Sequence, residues 1–322
     1  MRGRSIAPVI RCLACPVVLL LAGCTSNESL SFLSPEGPVA NAERWHFWVV
    51  VGILVVFVAG PVFLLTPWFA WHYRYGAKNS HYDPKWRDNR VLAVMTWGGP
   101  VVIVIILSYM IWGNAHALDP YRPLASNQPA LQIQAIGYDW KWLFIYPKLH
   151  IATIGVLPIR TDEPVAMQLT SATVMQSLLI PAVVGQIYAM GGMVTQLHFE
   201  AAHPGRFLGE NTMYDGNGFH QQKFTAIAMP PDKFRAWVRR VQAAGVKLDT
   251  RTLQAIEKRD TKATLFAALP RGASHDGSIY LKDVPGDFFA AVVKAAKDGK
   301  EVTLPTIAAA ARASTAVADA RP

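Results

Sequence analysis

Two uninterrupted apolar runs set the limits on what this chain can fold into. Between Arg44 and Arg74, and again between Arg90 and Asp119, no Asp, Glu, Lys or Arg occurs. The core of the first run, Phe47 to Phe69, has 23 residues, and that of the second extends from Val91 to Trp112. At about 1.5 Å of rise per residue, either helix reaches across a hydrocarbon layer of roughly 30 Å. The expectation is two membrane spans, 45–71 and 91–113. Trp45, Trp48, Trp68, Trp71, Trp97 and Trp112 fall mostly near the run ends, where indole rings favour the headgroup boundary. Pro61 and Pro100 are tolerable in spans whose neighbours satisfy the freed carbonyls.

The segments around these runs fix an expected topology. The connection 72–90 carries Arg74, Lys78, Lys85, Arg87 and Arg90 against Asp83 and Asp88, a positive excess that places it on the cytoplasmic side and both mature termini outside. The chain starts with Arg2, Arg4 and Arg11, then a short apolar stretch, then Leu21-Ala22-Gly23-Cys24. This is the layout of a bacterial signal peptide over 1–23. Leu-Ala-Gly-Cys resembles a lipoprotein box, which makes Cys24 the expected lipid-bearing N-terminus of a short external segment, 24–44. Cys12 and Cys15 lie inside the leader, so no thiol is expected in the mature chain beyond Cys24. The net charge of +9 includes three leader arginines and is spread without a dense basic run, giving no reason to invoke nucleic acid.

Beyond the loop Asp119–Asn127 the period changes to two. Leu131 to Ile136, Val165 to Thr170 and Val194 to Phe199 alternate apolar and polar, as half-buried strands do. Pro147, Pro158, Pro164, Pro181 and Pro204 punctuate the spaces, which suggests a Greek-key sandwich or barrel over 125–230. After Pro230, Asp232 to Val241 and Thr252 to Lys258 show helical spacing, so 231–305 is expected to be helical, docked on the sandwich or on a neighbouring subunit. The alanine-rich stretch 306–322 lacks a packing pattern and is expected to be a disordered tail.

An ordered set of motifs carries a resemblance. Gly137-Tyr138-Asp139-Trp140-Lys141-Trp142-Leu143-Phe144-Ile145-Tyr146-Pro147 is similar to the aromatic segment of subunit II of the haem-copper terminal oxidases. Thr173 to Pro181, Gln186 to Met193 and Gly216-Asn217-Gly218-Phe219 continue it, and Tyr280 to Phe289 resembles the aromatic C-terminal region of the quinol-oxidizing members. With the lipobox and the two spans, the similarity covers about Cys24 to Met229 and leans to the bo-type ubiquinol oxidase branch. It implies a two-helix transmembrane hairpin followed by an all-β cupredoxin-like Greek-key sandwich and a short helical C-terminal region, in the bacterial inner membrane.

The resemblance also implies where copper would have been. In cytochrome c oxidase relatives, subunit II holds two coppers with thiolates, histidines and a methionine, a set rich in soft ligands. Those positions fall here on Gln176, Asn211, Asp215, Phe219 and Gln222, a degenerate copper site with no metal expected. His198, His203 and His220 are expected to be ordinary surface or satisfied histidines, and Met190 and Met193 core packing. The implied complex oxidises ubiquinol and reduces oxygen to water with proton translocation. Its haems, copper and quinol site lie in subunit I. This chain would bind no cofactor, meet no cytochrome c, and brace and cap subunit I and its neighbours within membrane lipid.

Three other readings are weaker. A cytochrome c oxidase subunit II lacks its thiols here, a membrane-anchored copper carrier lacks a His/Met cluster, and a structural lipoprotein of another assembly does not account for the ordered motifs. One departure from the implied family pattern concerns protons. A glutamate near the cytoplasmic start of the second span is replaced by Leu92, which leaves Asp88, about one helical turn earlier, as the candidate for proton entry.

Overall fold

The computed structural model describes residues 34–77, 89–269, 274–275 and 277–299. Cys24, Asp88, the leader and the tail expected at 306–322 lie outside the described residues.

Helix α1 (Pro38–His72) and helix α2 (Arg90–Ala117) are each long and apolar enough to cross a membrane, and their apolar windows have no residue buried within the chain. Their side chains therefore face lipid or other protein. Gly37 precedes α1 and Pro38 opens it, where a missing N–H costs no helical bond. Val55–Ala59 is a single π-helical turn just before Gly60-Pro61. Proline cannot donate to the carbonyl four residues back, and the widened turn accommodates that gap. Asn89 caps α2 by accepting from the amides of Val91 and Leu92. Where the first part of α1 passes the end of α2, His46 Nδ1 meets Asn114 Nδ2.

The domain that follows α2 is a two-sheet sandwich. Its strands are β1 (Leu131–Tyr138), β2 (Lys141–Tyr146), β3 (Ile151–Ile154), β4 (Val156–Arg160), β5 (Val165–Ser171), β6 (Gln176–Ile180), β7 (Val184–Ala189), β8 (Thr195–Phe199), β9 (Gly205–Asn211) and β10 (Lys223–Met229). After these come α3 (Pro231–Ala244), β11 (Val246–Lys247), α4 (Thr250–Glu257), α5 (Lys262–Ala268), β12 (Ser274–His275), β13 (Ser278–Lys282) and α6 (Phe288–Asp298). One sheet runs β11-β13-β3-β2-β1-β5-β8, with β12 beside β13, and the other runs β4-β10-β9-β6-β7. The chain changes sheets between β3 and β4 at Gly155, whose φ of 86° an L side chain rarely adopts. Pro158 then sits in β4, an edge strand, where its missing donor breaks no ladder.

Two apolar clusters hold the domain. Between the sheets lie Trp142, Phe144, Tyr146, Leu178, Phe207 and Phe224, and the Tyr146 hydroxyl donates across to the carbonyl of Pro158 at 2.6 Å. The second cluster packs Ile136, Leu143, Ile145 and Ile154, on the outer face of the first sheet, under Leu253, Ile256, Leu265, Phe288 and Val292. The C-terminal region thus turns β2 into a strand buried on both faces. The segment from Tyr280 onward departs from the all-helical expectation. Tyr280–Lys282 is part of strand β13, which pairs antiparallel with β3 and extends the sheet, and the helix begins only at Phe288. The open edge of β3 offers unpaired backbone groups that outweigh the weak helical propensity of an Ile-Tyr-Leu stretch.

Candidate functional site

At the end of β6–β7 opposite the one that meets α1, the sandwich is closed by polar side chains. β1 ends at Tyr138, β6 begins at Gln176, β9 ends at Asn211, and Gln222 stands just before β10. The β6–β9 register sets Leu178 opposite Asn211, and β9–β10 sets Glu210 opposite Lys223, so these termini converge. Gln176, Asn211, Asp215 and Gln222 are all buried, at 0%, 4%, 7% and 1% exposure.

Their polar groups close on one another. Gln222 Nε2 donates to Gln176 Oε1 at 2.7 Å and to the Tyr138 carbonyl at 3.4 Å. Gln176 Nε2 donates to the same carbonyl at 3.0 Å. Asn211 Nδ2 donates to Gln222 Oε1 at 3.0 Å, to the Met213 carbonyl at 2.9 Å and to Asp215 Oδ2 at 3.2 Å. Asn211 Oδ1 in turn accepts from the amides of Ser177 and Met213. A buried amide left unpaired costs roughly 1–3 kcal/mol, so a fully connected set holds one arrangement. Asp215 Oδ1 is the exception, with no partner among the described residues. Burial, and next the nearby Asp139 carboxylate, push the Asp215 carboxyl up to about 6.

Four of the five sequence-derived positions therefore meet. The fifth, Phe219, is half-buried at the rim, its ring 5.8 Å from that of Tyr214, and it joins the network only through its carbonyl, which accepts from the Gln222 amide. His220 is exposed, His203 pairs with Glu36 at 3.4 Å, and His198 Nδ1 is 2.9 Å from the Pro120 carbonyl, so all three are surface or satisfied histidines. Met190 is half-buried, but Met193 is 55% exposed and is not core packing. It follows Gly192, at φ 74°, in the β7–β8 connection, where the chain leaves the sheet.

Several contributors have no local sequence signal. Gly137 is required because a Cβ there would lie 2.1 Å from Gln176 Oε1. Trp140, at φ 61° in the β1–β2 turn, lays its indole on Gly218, whose missing Cβ makes the contact fit. Arg259 covers that indole at 5.3 Å and lies 3.7 Å from Asp139. Lys141, 2% exposed, donates to the carbonyls of Asp139, Lys258 and Asp260, tying the turn to the C-terminal region. Burial holds its ammonium down to about 8, with Asp139 and Asp260 opposing. Lys141 and its partners at 258–260 are more than a hundred residues apart, a separation no motif bridges.

The residues present do not fit a copper centre of the thiolate type. Amide oxygens and nitrogens and one carboxylate are not soft ligands, and the amide groups are already engaged with each other. Among the described residues no group of three or more His, Cys, Asp or Glu could hold a metal ion.

No family model matches the chain. It is 39% identical over 255 residues to ubiquinol oxidase subunit 2 of Acetobacter aceti, covering 78% of this chain and 81% of that relative. It is 40% identical over 240 residues to cytochrome bo(3) ubiquinol oxidase subunit 2 of Pseudomonas aeruginosa, covering 74% and 71%. Among solved structures, the periplasmic domain of subunit II of cytochrome oxidase from Bradyrhizobium japonicum superposes with a TM-score of 0.34 at 20% identity, over 37% of this chain and 95% of that one. By its relatives, which it matches over most of their length, the chain belongs to the subunit 2 family of the ubiquinol oxidases.

Proposed function

We propose that the chain serves as the second subunit of a terminal oxidase complex that oxidises ubiquinol and reduces oxygen to water with proton translocation. Within that complex it carries no redox centre, and it braces subunit I with its hairpin and caps it with the sandwich. The closed network of Gln176, Asn211, Asp215 and Gln222 is the observation that carries this reading. These residues stand where the copper-bearing members of the superfamily keep ligands, and their amides are spent on one another. A donor dissolved in the membrane reaches subunit I directly, so no copper relay facing a soluble cytochrome is required. The haems and copper belong to subunit I. The positive connection between the spans supports a sandwich on the periplasmic side of the inner membrane, with Cys24 lipidated in the outer leaflet.

Purified complex is expected to take up oxygen with ubiquinol and not with reduced cytochrome c. The chain separated from subunit I is expected to hold no tightly bound copper after loading; about one copper with an intense visible charge-transfer band would overturn the reading. Cys24→Ser should leave the chain in the membrane fraction, because two spans anchor it without lipid. For proton entry the reading assigns Asp88. Asp88→Asn should slow turnover several-fold at full haem content, and Leu92→Glu should partly restore it. Unchanged turnover returns the entry to subunit I alone.

A further inference from the structure

The helices join the sandwich around a cavity of about 460 Å³. Its walls are the start of α1, with Val39 and Glu43, the α2 end and linker 117–125, and Gly185 and His198 of the sandwich. Main-chain bonds on two sides hold it open. The Glu36 amide donates to Ala182, the Ala202 amide to Glu36, and the His198 amide to Pro120.

The depth of the cavity is set by the helices. Glu43 lies four residues before Phe47, and Ala117 five residues after Trp112. At 1.5 Å per residue they stand about 6 and 7.5 Å beyond the apolar runs. That is the headgroup layer, roughly 5 to 7.5 Å deep on each side of the hydrocarbon.

The charges are the second observation. The carboxylate of Glu43 is held over Gly185, where a Cβ would come within 2.7 Å of Oε1. Among the described residues, neither this carboxylate nor the Arg122 guanidinium has an ion pair or a side-chain hydrogen bond. Asp119 adds a second carboxylate, with Oδ1 accepting from the Tyr121 amide. Two carboxylates face one guanidinium, so a ligand bearing only negative charge is disfavoured. A phosphate with a cation attached gives the two unpartnered groups each an opposite charge, phosphate on Arg122 and cation on Glu43, and adds no further negative charge beside Asp119. Among the described residues, the lining contains no Trp, Tyr or Phe. A quaternary ammonium would want such aromatic faces, whereas a primary ammonium hydrogen-bonds to carboxylate.

We propose that this cavity holds the headgroup of a phospholipid carrying both phosphate and a primary ammonium, of the phosphatidylethanolamine class, drawn from the leaflet on the sandwich side. The inference uses the two-span topology and not the oxidase activity, so its failure leaves that activity standing.

The test uses the assembled complex in bilayers doped with phospholipids bearing a diazirine beside the ester carbonyl and an unmodified headgroup. Ethanolamine, glycerol and choline headgroups are compared. The ethanolamine probe should label peptides 39–43 or 117–125 about tenfold more than the other two, the equivalent of one charged hydrogen bond. Glu43→Gln should remove that preference, and Arg122→Gln, on an exposed linker, should weaken labelling by all three. Ala125→Trp, which keeps every charge and fills the space, should abolish labelling. Only fractions with full haem content are compared, so a variant that fails to assemble is replaced by the next. Equal labelling by the three headgroups, or labelling unmoved by the variants, overturns the proposal. Recovery in these peptides of the chain's own acyl group or a partner-subunit cross-link, in place of the probe, overturns it too.

Discussion

The two ends of the sandwich solve the problem of polar groups in opposite ways. At the far end, neutral amides from three strand termini are buried and saturate one another. At the end stitched to the helices, Glu43 and Arg122 stand around a cavity with no side-chain partners among the described residues. A buried group must be satisfied inside the fold, whereas a group at the headgroup layer can be satisfied from outside. The far end is therefore a structural closure and the near end a receptive surface.

That contrast predicts unequal mutational costs. The largest belongs to Gln222→Leu, which strands Gln176 Oε1 and the Asn211 amide in the interior. A loss of about 3–4 kcal/mol is expected in denaturant unfolding of the detergent-solubilised chain. Coupling with Gln176→Ala of at least about 1 kcal/mol in a double-mutant cycle would show that the amides act as a unit; simple additivity would break that picture.

Asp215 is the flaw in the closure, and its effect has the opposite sign. Its folded-state carboxyl is raised from 3.8 to about 6, so the folded protein binds the extra proton between those values. Its contribution is fully present below the ordinary value and lost as pH rises through about 6, leaving a cost of about 2 kcal/mol at neutral pH once solvent screening is allowed for. Asp215→Asn keeps an acceptor for Asn211 and carries no charge. It is expected to raise stability by about 2 kcal/mol at pH 7, with the gain fading below pH 4. A gain that stays constant with pH would argue against the raised carboxyl.

Lys141→Met removes three bonds that fasten the β1–β2 turn to residues 258–260, and with them an ammonium that burial already disfavours. The two effects oppose, and a net loss of about 2 kcal/mol is expected, read as faster proteolysis near Arg259. At the near end, Glu43→Gln should change unfolding by less than about 0.5 kcal/mol, because no partner among the described residues is lost. A loss as large as that of Gln222→Leu would erase the distinction between the two ends.

Much of this was legible from local pattern. The spans follow from charge-free runs of sufficient length, and alternation at Leu131–Ile136, Val165–Thr170 and Val194–Phe199 located three strands. The resemblance placed Gln176, Asn211, Asp215, Phe219 and Gln222 in one group, and the side chains of all but Phe219 meet. Alternation failed in the second half of β1, where the C-terminal helices cover the outer face. Met193 failed for the converse reason, since an apolar residue in a strand connection has no sheet face to bury it.

By itself, then, the sequence determined the quantities that are local in the chain: span length, strand period, and the absence of any thiol after Cys24. The tertiary structure alone decided which donor meets which acceptor, that Tyr280–Lys282 completes a sheet, that Arg259 covers Trp140, and that α1, the α2 linker and β7 enclose a cavity lined by Glu43 and Arg122. Periodicity is written by neighbours three or four residues apart. Satisfaction of a buried amide, or of a carboxylate at a membrane boundary, depends on groups brought together from distant parts of the chain, and only the closed fold sets those distances.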